Sequence, residues 1–406
     1  MPTSLPLSRR WLPQLAVVAL LALLGTLPFW LTDLDLRAAA AFYHPEAEDP
    51  WWESGKPFWL FWYQIAPLLV GLVMVGGLAV LAGSAIWPRL RRLRLAAVFL
   101  IATTLVGPGL LVNGIFKDHW GRPRPHQTLA LGGTQAYVPP LALNADGKGK
   151  SFPCGHSSAG FALGAFFLLW QRRRPRLAWL ALIGSTALGI LLGIGRMSAG
   201  DHFLSDVIWS AVIPWGVALA LYYLVLRIPS REDAAAGRPP PIHRPLRYPA
   251  AAAGAYGLAL ALMVFGVLLA TPAHETRNLT IDEAQGALRL LADQANVTLY
   301  GLGTGSPAAS IRLKGRGFGL PTSRVKGALE REEGLLTYRV GHTGIFTEKD
   351  TTVVVGVDPR VWERIEVHTD SGDIRVYPMG EQRPQLVLQT GDGVVLDENG
   401  PRTASR

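Results

Sequence analysis

Repeated apolar runs, separated by short polar segments, constrain this chain more than any other feature. They lie at 11–31, 58–87, 95–116, 157–170, 177–194, 204–227 and 248–271. A hydrocarbon core about 30 Å thick takes roughly 20 residues per helix. Within lipid every backbone N–H and C=O must be satisfied inside the segment, so such runs are expected as helices. The fourth and fifth runs are short, and their edges are loosely defined. With 49% hydrophobic and only 17% charged residues, the chain is too apolar for an ordinary soluble protein. The expected architecture is a multi-pass α-helical membrane bundle of about six to seven transmembrane helices, followed by a soluble part.

Charge distinguishes the two ends of these runs. Arg89, Arg91, Arg92 and Arg94 stand between the second and third, and Arg172, Arg173, Arg174 and Arg176 between the fourth and fifth. A proline-rich segment, 228–247, joins the sixth to the seventh, and Arg9 and Arg10 precede the first. With seven spans these basic segments share one side, which the positive-inside rule makes cytoplasmic. The loop at 32–56 carries Asp33, Asp35, Glu46, Glu48, Asp49 and Glu53 and falls on the other side. The expected topology is therefore N-terminus in, C-terminus out. A cleaved leader is the competing reading of the first run, with Arg37–Ala41 as the cleavage region; downstream orientation is the same either way. The net charge of +9 resides in these loops and does not mark a nucleic-acid surface.

Beyond the last run the pattern changes. Segments such as NVTLYG, LLTYRVG, TTVVVGVD, IEVHTDSGDIRVY and LVLQTGDGVVL are short, β-prone and broken by Gly, Asp and Asn. The last two share a Gly-Asp step, Gly372-Asp373 and Gly391-Asp392, which suggests a repeat of about 19 residues. An all-β, solenoid-like extracytoplasmic domain is expected over 272–406, and its pattern resembles bacterial adhesin-type β domains. The apolar spacing at 282–293 does not decide between helix and strand. No feature names a ligand for this domain. The organisation is then 1–54 (first helix and outer loop), 55–227 (membrane domain), 228–247 (cytoplasmic loop), 248–271 (last helix) and 272–406.

Three polar clusters sit where runs meet the outer loops. They are KDHWGRPRP after the third run, PCGHSS before the fourth, and GRMSAGDHFLSD between the fifth and sixth. Charged groups at a membrane are costly and usually functional when they converge. Lys117, Arg124 and Arg196 are three cations able to surround one phosphate, the arginines in bidentate fashion. Their hold strengthens as charge moves onto phosphoryl oxygens in the transition state. His202 and Asp206 are four apart, so the carboxylate is expected to accept the Nδ1 proton. Nε2 is then free to attack phosphorus. His156 can protonate the departing oxygen and afterwards activate water.

Lys-x6-Arg-Pro, then Pro-x-Gly-His, then Arg-x5-His-x3-Asp resembles the three-part signature of the type 2 phosphatidic acid phosphatase superfamily. Lys117, Arg124, Pro125, Pro153, Gly155, His156, Arg196, His202 and Asp206 match in order and spacing. The resemblance covers about 55–227. It implies a helical-bundle phosphatase with a phosphohistidine intermediate and no metal or other cofactor. It also implies a membrane lipid substrate: phosphatidic acid, phosphatidylglycerol phosphate, undecaprenyl pyrophosphate or lipid A. On this basis the protein is placed in a bacterial inner membrane with its site on the outer face. One position departs from the pattern: Cys154, the lone cysteine, stands where the family has a phosphate-contacting serine. A thiol is the weaker donor, at a cost of about 1 kcal/mol for one good hydrogen bond.

The single cysteine excludes an intramolecular disulfide and a cysteine-cluster metal site. As a phosphatase nucleophile Cys154 would need an arginine six positions on, where Gly160 stands. His119, His126 and Asp201 flank the motifs and are expected in loop or substrate-contact roles. Trp51, Trp52, Trp59, Trp62 and Trp120 are expected as an interfacial aromatic belt. The alternatives to hydrolysis are phosphotransfer from the same intermediate, a vanadate haloperoxidase, which the spans disfavour, and a pseudo-enzyme anchoring a surface binding module. Only Cys154 supports the last.

Overall fold

From Pro57 to Ile86 the chain has no charged residue in 30 positions, and it forms one helix there. At about 1.5 Å per residue such a helix exceeds the ~30 Å hydrocarbon core. The computed structural model describes residues 11–47, 50–235, 249–269, 271–284, 286–303, 305–380, 384–397 and 400–403. The chain divides into two compact units, Met1–Val267 and Leu268–Arg406.

The first unit is helical. It begins with α1 (Trp11–Leu24), α2 (Leu27–Leu31), α3 (Leu34–Ala40) and the long α4 (Pro57–Ile86). Next, α5 (Arg94–Thr104) runs through wider π-type turns at Leu105–Phe116 into α6 (Lys117–His119). The widening surrounds Pro108, which has no N–H to give, and Asn113 Nδ2 donates instead to the Pro108 carbonyl at 2.7 Å. A long loop leads to α7 (Gly155–Ala162), α8 (Ala165–Trp170), α9 (Pro175–Met197) and α10 (Leu204–Leu219), then α11 (Ile228–Ala235) and α12 (Pro249–Leu269).

Among the described residues, five helices are long and apolar enough to cross a membrane: 11–31, 57–86, 88–119, 175–197 and 204–234. The run at 157–170 is helical as the short pair α7 and α8, and the last run as α12; neither is among those five. The basic loops close the helix ends. Arg94 donates from Nε to Ser84 Oγ at 2.6 Å and from Nη2 to the Ser84 carbonyl at 3.0 Å, covering the C-terminus of α4. Arg172 pairs with Glu232 at 3.1 Å and with Asp233 on α11. Arg9, Arg10, Glu48, Asp49 and most of the proline-rich segment (236–248) lie outside the described residues.

The second unit is all β. Its strands are β1 (Thr271–Ile281), β2 (Ala287–Ala292), β3 (Asn296–Gly301), β4 (Ala309–Gly319), β5 (Arg324–Glu332) and β6 (Leu335–Thr343). They continue as β7 (Phe346–Val357), β8 (Arg364–Thr369), β9 (Ile374–Val376), β10 (Gln385–Thr390), β11 (Val394–Asp397) and β12 (Gly400–Thr403). One sheet has the order β1-β4-β7-β3-β9-β11-β12 and the other β10-β8-β2-β6-β5. The parallel centre is a stack of four rungs, β6 with β7, β2 with β3, β8 with β9, and β10 with β11, each giving one strand to each sheet. Alternation puts Leu288, Leu290, Val297, Leu299, Ile365 and Val367 into the shared core. This is the solenoid-like domain expected.

Two details correct the sequence reading. Residues 287–292 of the undecided 282–293 segment are strand β2, not helix. The repeat is 21 residues rather than 19, because Ile365 pairs with Leu386 and Ile374 with Val395. Aligning the Gly-Asp steps slips the register by two. The shared turn is instead Thr369-x-x-Gly372 and Thr390-x-x-Gly393.

Candidate active site

Close helix packing assembles the site. A Cβ on Gly160 of α7 would stand 2.7 Å from the backbone of Gly189 on α9, so these helices meet backbone to backbone. That contact sets the start of α7, with Gly155 and His156, beside the end of α9, with Arg196. Gly155 is itself confined, since a Cβ there would lie 2.6 Å from Asn113 Oδ1. The Gly160 contact also weighs against a cysteine-dependent phosphatase. An arginine six residues after Cys154 would have to occupy the Gly160 position, where no side chain fits.

Two of the expected cations come together on one carboxylate. Arg124 Nη1 reaches Asp201 Oδ1 at 3.2 Å, and Arg196 Nη2 lies 2.9 Å from Asp201 Oδ2. All three residues are buried. Asp201, expected only to flank the motifs, thus aligns both guanidinium groups. The turn between α9 and α10 makes this possible: Gly200 takes φ +67°, a conformation open to glycine at little cost. The Trp51 ring lies against it, where a Cβ would be 2.6 Å from the indole. Trp51 is therefore a buried wall of this turn rather than part of an aromatic belt. His126 lies on the same turn, Nδ1 2.8 Å from the Gly200 carbonyl. Lys117 is buried on α6, while the neighbouring His119 faces outward with Nδ1 3.0 Å from the Ile115 carbonyl.

His202 is almost wholly buried, and its Nδ1 lies 2.5 Å from the Ser151 carbonyl. A carbonyl can only accept, so Nδ1 carries a proton and Nε2 is the nitrogen left for the chemistry. Asp206 Oδ2, the partner expected for Nδ1, is 3.7 Å away. The reason lies in where the helix starts. His202 precedes α10, so the one-turn spacing does not hold, and Asp206 instead folds back to cap α10 by accepting the Phe203 N–H at 2.8 Å. It also accepts from Ser151 Oγ at 2.6 Å, so one carboxylate fixes both α10 and the segment whose carbonyl orients His202.

Arg122 was not singled out by motif spacing, yet it has no solvent exposure. Its guanidinium pairs with Asp206, meets Asp35 Oδ2 at 2.7 Å, and donates to Ser205 Oγ at 2.9 Å and the Val138 carbonyl at 2.8 Å. Asp35 comes from α3 and also accepts from Tyr137 at 2.9 Å. Burial opposes the Arg122 charge, but the Asp206 and Asp35 carboxylates outweigh it and hold its pKa above the ordinary value.

Cys154 is fully buried beside Phe161, Met197, Val207 and Ala211, and its thiol shares a hydrogen bond with the His202 side chain. Burial pushes the thiol pKa up, while His202 and then Arg196 bring it net below its usual value. Burial likewise disfavours the His202 imidazolium, and Cys154 and Asp206 more than compensate, so its pKa is raised. His156 is buried at the first turn of α7 with its ring stacked on Tyr63.

The PAP2 superfamily matches residues 93–229, the stretch that carries every motif residue. A lipid A 4'-phosphatase of Francisella tularensis subsp. novicida is 34% identical over 199 residues, covering 48% of this chain and 87% of that protein. A transmembrane PAP2 type phosphatidylglycerolphosphate phosphatase from Bacillus subtilis is 17% identical, with a TM-score of 0.34, and covers 57% of this chain and 100% of that one. A proposed cell adhesion protein from Clostridium sporogenes, 10% identical with a TM-score of 0.22, covers 30% of this chain and 58% of that one. Since the Francisella relative is matched over most of its length at 34% identity, and the motif residues fall inside the matched stretch, the chain belongs to the PAP2 superfamily.

Proposed function

We propose that this protein hydrolyses the phosphate monoester of a membrane lipid, lipid A first among the candidates, through a phosphohistidine on His202. The observation that carries the reading is the fixed tautomer of His202, with Nδ1 on the Ser151 carbonyl, next in sequence to Asp201, which holds Arg124 and Arg196. Arg124, Arg196 and Lys117 bind the phosphoryl oxygens, helped by the Gly155 amide at the start of α7. Nε2 of His202 attacks phosphorus as the phosphorus–oxygen bond to the lipid breaks. His156 gives its proton to the leaving oxygen. It then takes a proton from water, which attacks the phosphohistidine, releases inorganic phosphate and restores His202. Asp206 positions His202 through Ser151 and Arg122, and its charge 3.7 Å away supports the imidazolium. Lipid A is favoured by the Francisella relative's name and by the length of that match.

Arginine-rich loops at one end of the helices and the site loops at the other support a site on the outer face of a bacterial inner membrane. With His156, His202 and the arginines assembled, Cys154 alone does not support a pseudo-enzyme. The test is phosphate release in detergent from lipid A, phosphatidic acid, phosphatidylglycerol phosphate and undecaprenyl pyrophosphate, with His202→Ala alongside. Lipid A is expected to be cleaved fastest, and His202→Ala to lose release on every substrate. Equal release by both proteins would remove His202 from the chemistry. A phosphorylated acceptor lipid in place of free phosphate would make the enzyme a transferase.

A further inference from the structure

We infer that Tyr63 is a positioning residue of this reaction, holding the proton donor His156 and the phosphate-binding Arg196 on one aromatic ring; the inference rests on the roles proposed above. Tyr63 lies on α4, outside all three sequence motifs. Its ring stacks on His156 with centroids 4.9 Å apart and planes 19° apart. The Arg196 guanidinium carbon lies 4.8 Å from the centroid of the same ring. These distances fall within the ranges for stacked aromatic pairs and for cation–π contacts. The three residues come from different elements, α4, α7 and α9, so the ring is where their separate packing meets.

The register of α4 on α9 is built for this contact. One turn before Tyr63, Trp59 lies over Gly195, where a Cβ would be 3.0 Å from the indole. Gly195 immediately precedes Arg196, so Trp59 on Gly195 brings Tyr63 onto the guanidinium.

An aromatic ring suits this place for an electrostatic reason. Arg196 already carries one carboxylate partner, Asp201; a second carboxylate in place of the ring would compete with the substrate phosphate for both His156 and Arg196. The ring face attracts a cation through its quadrupole without neutralising it. It also fixes the imidazole plane, and with it the direction in which His156 delivers its proton. As the phosphorus–oxygen bond breaks, an N–H bond of His156 breaks and an O–H bond to the lipid forms.

A leaving-group comparison separates this role from space filling. A lipid phosphate expels an alkoxide and needs the proton; para-nitrophenyl phosphate expels a stabilised anion and hardly needs it. Tyr63→Leu is expected to lower kcat on the lipid phosphate by about tenfold to a hundredfold, part of the ~10²–10⁴ general-acid contribution. On para-nitrophenyl phosphate kcat is expected to change by less than about threefold, while KM rises on both substrates through Arg196. Tyr63→Phe, which keeps the ring, is expected to restore the wild-type ratio of the two kcat values. Should Tyr63→Leu not fold, Tyr63→Met carries the same comparison. Equal losses on both substrates, or failure of Tyr63→Phe to restore the ratio, would overturn the inference. Failure of the underlying reading looks different: His202→Ala would then turn over both substrates at the wild-type rate, and the role of Tyr63 would fall with it.

Discussion

Cys154 puts a fully buried thiol where the family pattern has a serine hydroxyl, and its partner is His202, the proposed nucleophile. Cys154 is a larger cause of the raised His202 pKa than Asp206 is. Attack requires neutral His202, so activity is lost as pH falls through that pKa, and a raised value puts the acid limb above the ordinary imidazole range of about 6.5. Cys154→Ser removes the thiol, so the acid limb of kcat/KM against pH should move to lower pH, with turnover no lower than wild type. An unmoved limb, or complete loss of activity, would show that the thiol is not what tunes His202. At this scale the family was legible in the sequence, because the motif residues stand at the spacings of the matched stretch. Other parts were not. The Nδ1 acceptor is a backbone carbonyl, which spacing between side chains cannot report. Arg122 and Arg124 stand two apart in one short segment, and only their partners show that the first holds the framework while the second pairs with Asp201. Tyr63 lies among tryptophans in PFWLFWYQIAP, and nothing in that run separates a ring at the site from one facing lipid.

The helices were legible for a simple physical reason: a long run without charge in a membrane has no alternative to helix. Their joints were less so. That α7 must touch α9 at Gly160 and Gly189 follows from three-dimensional packing, which hydropathy does not carry. Gly160→Val should force the two helices apart, costing about 1–3 kcal/mol as overpacked contacts do. It is expected to lower the thermal midpoint in detergent, and activity should fall with it, because His156 and Arg196 lie at the ends of these helices. An unchanged midpoint would mean the contact does not hold the site. In the β unit strand type was legible from β-branched runs, but register was not. The visible Gly-Asp steps are offset by two from the 21-residue pairing that the strands adopt. At the membrane end, α3 contributes Asp35 to the Arg122 cluster, so cleavage within Arg37–Ala41 would remove a buried partner of that arginine.

Across the whole molecule, every residue assigned to the chemistry lies in the first unit, Met1–Val267. Removing 272–406 is therefore expected to leave phosphate release in detergent within about threefold of the full chain, since no catalytic group is lost and about 0.6 kcal/mol corresponds to that change. Loss of activity from a truncated protein that elutes as a folded species would make the β unit part of the enzyme. The most direct test of the account is capture of the phosphoenzyme. Rapid acid-free quenching during turnover of a radiolabelled lipid phosphate should leave label on the protein that is stable to alkali, released by acid, present in wild type and absent from His202→Ala. Label that survives in His202→Ala, or steady hydrolysis with no labelled protein at any time, would contradict it.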